Sequence, residues 1–310
     1  MSSPEPGTVR LQRVVVHAVL RSGPRLLVVP EGPGGALALP AAVLGHGESP
    51  GQGLRRALSA AGVGAVRTGQ PVEARSVVAA HPGPDGEEVD VHTVHLVHSV
   101  QLLHGGHLGA TARGAEDGRW VQAARLPGLP VAPDATFPVT AAQLPAPVPA
   151  GDGEVAVRRQ RLAAYAVVVD DGRLLLTRLS ERTPSPGRWT LPGGGVDHGE
   201  HPCVAAVREV HEETGNHVEV DELVEVGSEH FTGRSPAGVL EDFHALRVIV
   251  TATAPDAVEP VVLDVGGSTD LARWVPLGEA PALGLVGVAA RGLQIARRSA
   301  ALAEERTAGA

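Results

Sequence analysis

The sequence predicts an α/β protein made of two consecutive domains, each a sheet covered by helices. Its 310 residues exceed what one compact domain usually needs. Apolar residues make up 43% of the chain, which is enough for ordinary cores. Strand-like apolar runs outnumber helical segments, and similar segments recur in the same order in both halves. These observations favour two related α/β domains.

Four pairs of segments carry the internal repeat. Each half begins with an apolar hairpin around a glycine turn, followed by a Leu-Pro loop, a strand-like run and a tryptophan segment. The pairs lie at a nearly constant offset of about 150 residues, which is the length of a whole domain. They are 17–29 with 165–178, 39–49 with 191–201, 90–97 with 242–249, and 118–129 with 272–283. Duplication of one domain accounts for this order.

A stretch rich in proline and glycine separates the two halves. Residues 144–157 contain three prolines, none of which suits a helix interior, and two glycines that loosen the chain after them. We therefore predict a first domain over residues 1–148, a linker over 149–157 and a second domain over 158–310.

The second half is predicted to form a hairpin, a loop, a helix, two or three strands and a terminal helix. The first helix covers roughly His201–Thr214, because Pro202 suits its first turn and Gly215 suits a left-handed cap. The terminal helix covers roughly Val286–Glu304. The first half has no room for a matching terminal helix, because prolines follow too soon.

Composition limits the classes of partner. A net charge of −9 argues against binding to a nucleic acid polymer. The single cysteine allows no intrachain disulfide, as is usual in the cytosol. The N-terminus lacks the pattern of a signal peptide, and apolar runs fall short of the roughly 18 residues that span a bilayer. We expect a cytoplasmic protein that binds a small molecule and no membrane.

Three glutamates cluster on the helix that follows a run of glycines. At about 100° per residue, Glu209, Glu212 and Glu213 fall within an arc of roughly 100° on one face. Their charges repel, and a purely structural helix usually interleaves acids with bases. Mg²⁺ or Mn²⁺ removes the repulsion, because these cations prefer oxygen ligands and commonly bind together with substrate phosphates.

The spacing of these residues resembles the signature of the Nudix hydrolases. That signature is a glycine, five residues, a glutamate, seven residues, and then Arg-Glu-apolar-any-Glu-Glu-any-Gly-apolar. Eight of the nine specified positions match, and Asn216 departs from the last, where an apolar residue is usual. The matching residues are Gly194, Glu200, Arg208, Glu209, Val210, Glu212, Glu213 and Gly215.

The resemblance covers most of residues 161–292. It implies two Nudix-type α/β/α sandwiches with mixed sheets, and a Mg²⁺- or Mn²⁺-dependent hydrolase in which water attacks a diphosphate. Carried over to this sequence, Glu209, Glu212 and Glu213 are metal ligands. Arg208 completes the catalytic set by holding a glutamate through a charge-assisted hydrogen bond.

Further residues are candidates for contact with substrate or for proton transfer. The glycine turn, Glu200 and an Arg-Trp pair shortly upstream of the turn would bind substrate. Acids on the loop before the late tryptophan would include the general base. The substrate-binding candidates are Gly193, Gly194, Glu200, Arg188 and Trp189. The base candidates are Asp264 and Asp270, with Glu241 and Asp242 next. Ordinary turn acids remain the alternative interpretation of each.

The first half keeps the outline of this motif without its acids. Glu48 stands opposite Glu200, and Arg56 stands opposite Arg208 in an ungapped alignment. Alanines occupy the positions of the three glutamates, at Ala57, Ala60 and Ala61. We expect a non-catalytic domain. It could serve as a packing or homodimerisation partner, as a lid, or as a module for a nucleotide-like ligand.

Three histidines lie three residues apart in a strand-like run of the first half. Alternation along a strand sends His95 to the face opposite His92 and His98, so the three do not converge on one zinc ion. We expect them to be exposed or hydrogen-bonded.

The predicted function is hydrolysis of a nucleoside diphosphate linked to another moiety. ADP-ribose, nucleotide sugars, dinucleoside polyphosphates and oxidised nucleoside triphosphates all remain open as substrates. The alternative is a sensing or regulatory protein that binds a nucleotide ligand without turnover.

Overall fold

The computed structural model describes residues 9–31, 36–103, 119–144, 147–150, 154–235 and 238–308. The chain folds into two compact units. The first unit comprises Met1–Gln160, Val226–Phe231 and Asp242–Ala245, and the second comprises Arg161–Glu225, Thr232–Glu241 and Leu246–Ala310. The division differs from the predicted boundaries because two short strand segments from the C-terminal half group with the first unit.

A mixed sheet forms the centre of the first unit, in the strand order β3-β2-β1-β6-β5. Strands β1 and β6 are parallel over their whole shared length, and β4 and β7 pair with β1 and β2. The elements are β1 (Val9–Ser22), β2 (Arg25–Glu31), β3 (Ala36–Ala38), β4 (Ala41–Val43), α1 (Pro50–Ala60), β5 (Val66–Pro82), β6 (Glu88–Leu102) and β7 (Arg119–Gln122).

The second sheet repeats this plan in the order β11-β10-β9-β14-β13, with β12 pairing to β9 and β15 to β10. Its elements are β9 (Glu154–Asp170), β10 (Arg173–Leu179), β11 (Trp189–Thr190), β12 (Gly193–Gly195), α2 (Pro202–Thr214), β13 (Glu219–Arg234), β14 (Leu240–Thr253), β15 (Thr269–Pro276) and α3 (Gly287–Ala308). Each sheet is mixed and has one parallel pair, which confirms the predicted fold class.

The residues predicted as a linker are partly ordered into strands. Strand β8 (Pro147–Ala150) pairs antiparallel with the start of β9, and residues 151–153 lie outside the described part of the chain. Prolines are tolerated in β8 because it is an edge strand.

The two predicted helices of the second half agree with the structure. Helix α2 begins at Pro202 with His201 as its N-cap, and Gly215 ends it in a left-handed conformation with φ +70°. Helix α3 starts one residue later than predicted and extends to Ala308. None of the described helices has the length and apolar composition needed to cross a bilayer.

The three histidines of β6 are all buried, so the expectation of exposure is wrong for them and the hydrogen-bonded alternative is right. His92 contacts Gln12 and Ser76 through its two ring nitrogens, at 3.1 and 2.6 Å. Nδ1 of His95 lies 2.9 Å from Nε2 of His17 on the parallel strand β1. Both faces of β6 are covered, so alternation does not bring any of the three to solvent.

A charged pair anchors this polar layer of the first unit. The buried guanidinium of Arg13 donates to Asp134 Oδ1 at 3.0 Å, and His81 Nε2 lies 2.5 Å from Asp134 Oδ2. Burial alone would raise the pKa of Asp134, but hydrogen bonds from Thr93, His81 and Arg13 lower it overall. Pairing of this kind is needed because an isolated buried charge is strongly destabilising.

The buried histidines make the stability of the first unit depend on pH. Burial, aided by the charges of His95 and Arg75, lowers the pKa of His17 to about 3, and burial lowers that of His98 to about 4. Both folded values lie below the unfolded value of about 6.5. The free energy of unfolding is therefore highest above pH ~6.5. It falls as the pH drops below that value, by on the order of 1 kcal/mol per histidine per pH unit.

We expect hydrogen exchange in β1 and β6, followed by mass spectrometry, to accelerate steadily between pH 6.5 and 5 after correction for the intrinsic rate. The variant His98→Gln removes one titrating group and should show a shallower dependence. An identical slope in that variant would contradict the assignment.

Candidate functional site

The glycine strand β12 places the backbone beside the start of helix α2. Gly193 pairs with Tyr165 and Gly195 with Ala163 of β9. Gly193 has φ +150°, and a Cβ there would lie 2.3 Å from the carbonyl oxygen of Ala164. Only glycine permits this approach, so the sequence Gly-Gly-Gly fixes the loop against the sheet.

One arginine ties the loop to the helix. Arg208 donates from Nε and Nη2 to the two oxygens of Glu200, each at 2.9 Å, and from Nη2 to the carbonyl oxygen of Gly195 at 3.0 Å. This bidentate geometry fixes Glu200 at the end of the loop. The hydrogen bonds to Glu200 are the main reason that the pKa of Arg208 is raised, so the guanidinium stays charged. We name the Arg208–Glu200 pair the clamp.

The same guanidinium reaches two of the three helix glutamates. Its Nη1 donates to Glu209 Oε1 at 2.9 Å and to Glu212 Oε2 at 3.0 Å. One oxygen from each carboxylate is thus held at the same nitrogen. Burial raises the pKa of Glu209, and the charge of Arg208 opposes this while that of Glu212 adds to it.

Glu213 differs from its neighbours because it is buried, with 4% of its surface exposed. Its Oε2 accepts from the backbone N–H of Gly193 at 3.0 Å, and its Oε1 accepts from the hydroxyl of Thr269 at 2.5 Å. Thr177 and Ser268 lie at 3.5 and 3.4 Å. Desolvation raises the pKa of Glu213 to about 7, against the hydrogen bonds that lower it. The glutamate face of α2 therefore combines a buried carboxylate, that of Glu213, with a partly exposed one, that of Glu212.

The base candidates Asp264 and Asp270 line one cavity of about 430 Å³, together with Thr269. Asp270 accepts from Arg178 Nε at 2.7 Å, and both side chains are partly exposed. The backbone N–H of Asp264 donates to the carbonyl oxygen of Glu212 at 3.0 Å, which ties its loop to the end of α2. Of the next candidates, Asp242 contacts His230 and belongs to the first unit.

Arg188 and Trp189, which lie shortly upstream of the glycine strand, make contacts within the protein itself. Arg188 donates from Nε to the carbonyl oxygen of Gly284 at 2.7 Å and from Nη2 to that of Leu285. Trp189 is only 7% exposed and packs in the main core cluster. These contacts favour a structural role for both residues over direct contact with substrate.

Several residues at the site were missed from the sequence. The hydroxyls that satisfy Glu213 come from strands β10 and β15, more than thirty residues away along the chain in each direction. Arg161, at the start of the second unit, lowers the pKa of Glu209 by its charge. Buried Asn216 accepts from the N–H of Val258 at 2.9 Å, which explains the departure from the signature. The sequence alone does not identify Thr177 and Thr269 as partners of Glu213, because that requires knowing the register of their strands.

The first unit has a pair equivalent to the clamp, formed by Arg56 and Glu48, but it lacks the three helix glutamates. Arg56 donates from Nε and Nη2 to the two oxygens of Glu48, at 3.0 and 2.7 Å, and from Nη2 to the carbonyl oxygen of Val43 at 2.7 Å. Each bond has a counterpart at Arg208. The helix face next to it carries Ala57 and Ala61, both buried, in place of carboxylates.

The donor set of the second unit fits a hard divalent cation. Glu209 and Glu212 converge on one nitrogen of Arg208, and a Cβ on Gly194 would lie 2.5 Å from Glu209 Oε1. The carboxylates and the bare glycine backbone form an oxygen-rich cradle with no soft ligand among the described side chains. Oxygen donors of this kind suit Mg²⁺ or Mn²⁺.

Comparisons with known proteins agree with this geometry. A sequence model described as "NUDIX domain" matches residues 159–294. The mixed sheet, glycine strand and clamped acidic helix define this class of domain. This chain belongs to the Nudix family.

Individual relatives match over limited stretches. A "MutT-like protein" of Streptomyces ambofaciens is 37% identical over 109 residues, which cover 33% of this chain and 68% of that protein. A "Nucleoside triphosphatase NudI" of Escherichia coli O139:H28 is 38% identical over 66 residues, covering 21% of this chain and 47% of that protein. The crystal structure of a "MutT NUDIX hydrolase" from Burkholderia pseudomallei is 28% identical, with a TM-score of 0.32, covering 44% of this chain and 97% of that one.

Burial predicts that two adjacent glutamates differ in their effect on stability. Glu213→Ala leaves the N–H of Gly193 and the hydroxyl of Thr269 unpaired inside the protein, at about 1–3 kcal/mol for each group. Glu212 is 44% exposed on its side chain, so Glu212→Ala should change stability little.

Chemical denaturation of the full chain, followed by the fluorescence of its three tryptophans, tests this difference. An equal loss of stability in both variants would contradict the burial of Glu213.

Proposed function

We propose that the second unit is a Mg²⁺- or Mn²⁺-dependent hydrolase that cleaves the diphosphate bond of a nucleoside diphosphate linked to another moiety. The observation that carries the proposal is the convergence of Glu209 and Glu212 on Arg208 beside the glycine strand. One guanidinium faces Glu200, Glu209 and Glu212, so it does not balance the carboxylates around it, and the excess negative charge favours a further cation.

Bound divalent metal would polarise the phosphoryl oxygens and lower the pKa of an attacking water. Glu209, Glu212 and Glu213 would hold it, and Arg208 would keep the first two oriented. The bare backbone of Gly193 and Gly194 would lie against Glu213 and Glu209, a close approach that a side chain at Gly194 would obstruct.

Asp264 and Asp270 are proposed to supply the general base. Both line the cavity that also contains Thr269, whose hydroxyl is bonded to Glu213, so a base there would stand close to the acidic helix. Asp270 is already engaged by Arg178 at 2.7 Å, which favours Asp264 as the residue that contacts the attacking water.

A substrate panel tests the proposal. ADP-ribose, a nucleotide sugar, a dinucleoside polyphosphate and an oxidised nucleoside triphosphate would be incubated with the full chain and Mg²⁺ or Mn²⁺, and product release measured. We expect turnover of at least one compound, and a loss on the order of 100-fold or more in Glu209→Gln and Glu212→Gln. Glu222→Gln changes an exposed glutamate on β13 and is the matched control.

The outcomes separate the two function classes. Metal-dependent turnover that the control keeps and the site variants lose supports the hydrolase. Tight binding of a nucleotide without turnover would instead support a sensing or regulatory protein. Full activity in both site variants would overturn the metal assignment.

The close approach of Gly194 to Glu209 gives a second prediction. Gly194→Ala places a methyl group 2.5 Å from the present position of Glu209 Oε1, and the flexible carboxylate must move away. We expect Mn²⁺ binding, measured by electron paramagnetic resonance, to weaken while the fold is kept.

The matched control is Gly278→Ala, because a Cβ at Gly278 meets nothing within 4 Å. Equal Mn²⁺ affinity in Gly194→Ala and Gly278→Ala would show that Glu209 does not bind the ion.

A further inference from the structure

A second cluster of metal-binding side chains lies inside the first unit, apart from the acidic helix. His46 follows strand β4, His230 lies on β13, and Asp242 and His244 lie on β14. All four belong to the first unit. We call them the histidine cluster.

Asp242 is the centre of this cluster. Its Oδ1 lies 2.6 Å from Nε2 of His230, and its Oδ2 lies 3.2 Å from Nε2 of His46. One ligand atom from each of the three residues lies within 4.8 Å of the other two. Two imidazole nitrogens thus face one carboxylate, which is the donor set of many transition-metal sites.

Unsatisfied ring nitrogens provide an independent observation. Nε2 of His46 is buried and has no hydrogen bond, because its contact with Asp242 lacks hydrogen-bond geometry. Nε2 of His244 is also buried without a partner, and that side chain is 0% exposed. The His244 ring centroid lies 5.6 Å from that of His46 and 6.1 Å from that of His230. Buried polar atoms are normally paired, so buried nitrogens without hydrogen bonds beside a carboxylate favour the binding of a cation at this position.

The charge state of the histidines is also suitable. Burial lowers the pKa of His46, although Asp242 opposes the shift, and burial together with the charges of His46 and His230 lowers the pKa of His244 to about 4. Both rings are neutral at neutral pH, and the neutral imidazole is the form that binds metals.

The backbone at Gly47 packs directly against the His230 ring, with no space for a side chain between them. Gly47 has φ +75°, and a Cβ at that position would lie 2.8 Å from Nδ1 of His230. The next residue, Glu48, is fixed by Arg56. Glu48 also accepts from the N–H of Gly45 at 2.9 Å, so the backbone is held on both sides of His46 and the site is pre-organised.

We propose that His46, His230 and Asp242 bind one divalent transition-metal ion, with Zn²⁺ as the best fit. Two imidazoles and one carboxylate are softer donors than the three glutamates of α2, so the two sites select different metals. The His244 ring lies near those of His46 and His230, and a water molecule would complete the coordination. The Zn²⁺ ion would take the place of the hydrogen bond between His230 and Asp242.

Calorimetric titration of the metal-stripped full chain with Zn²⁺, in excess Mg²⁺, tests the proposal. We expect one tight Zn²⁺ site in the wild type. The variants His230→Gln and Asp242→Asn should each weaken it on the order of 100-fold or more, since even outer-shell partners are worth 10- to 100-fold. His230 is exposed on 44% of its side chain, so its substitution should not prevent folding.

Two controls locate the ion. His217→Gln removes an exposed histidine that stacks on His211 and should leave Zn²⁺ affinity unchanged. The double variant Glu209→Gln, Glu212→Gln removes the acidic site and should also leave it unchanged. Retention of tight Zn²⁺ binding in both His230→Gln and Asp242→Asn, or its loss in the double variant, would overturn the proposal.

Substitution of Co²⁺ gives a spectroscopic measurement that does not depend on hydrolysis. We expect visible absorption bands of a four- or five-coordinate ion in the wild type and their loss in His230→Gln. A spectrum of hexa-aquo Co²⁺ in the wild type would show that these residues are only a hydrogen-bonded triad.

Discussion

The bidentate bond between an arginine on the first helix and a glutamate at its preceding loop is the contact on which each unit depends. Arg208 and Glu200 make it in the second unit, and Arg56 and Glu48 make it in the first, with the same atoms and nearly the same distances. In both, the guanidinium also reaches a loop carbonyl. These hydrogen bonds fix the loop against the helix. The position of the other side chains on that helix relative to the loop depends on them.

Only the second unit carries the three glutamates beside the arginine–glutamate pair, and these carboxylates lower its stability. Glu213 is buried with a raised pKa, and it needs donors from Gly193 and Thr269 to remain there. The first unit has buried Ala61 at the aligned position, immediately after the end of helix α1, and an alanine there needs no hydrogen-bond donor. Loss of the acids therefore relieves strain from desolvation and repulsion while the clamp keeps the fold.

Much of this was predictable from the sequence because it depends on local chemistry. Pro202 and Gly215 mark the ends of α2, and the spacing of Arg208 from Glu200 implies a bond across the helix start. The partners of Glu213 were not predictable, because Thr269 reaches it only through strand register. The burial of His95 was missed for the same reason: alternation says which side a residue faces, but not whether that side is covered.

The two units show two ways of tolerating buried polar groups. In the second, carboxylates sit at the edge of a glycine loop, where a cation can join them. In the first, buried polar groups within the sheet are largely neutralised internally, as Arg13 does for Asp134. Buried nitrogens without a hydrogen bond in the first unit include Nε2 of His46 and His244 in the histidine cluster, and also Nδ1 of His17 on β1. In the cluster these nitrogens lie beside the Asp242 carboxylate and the His230 ring, so a cation bound there would be stabilised by charge as well as by coordination.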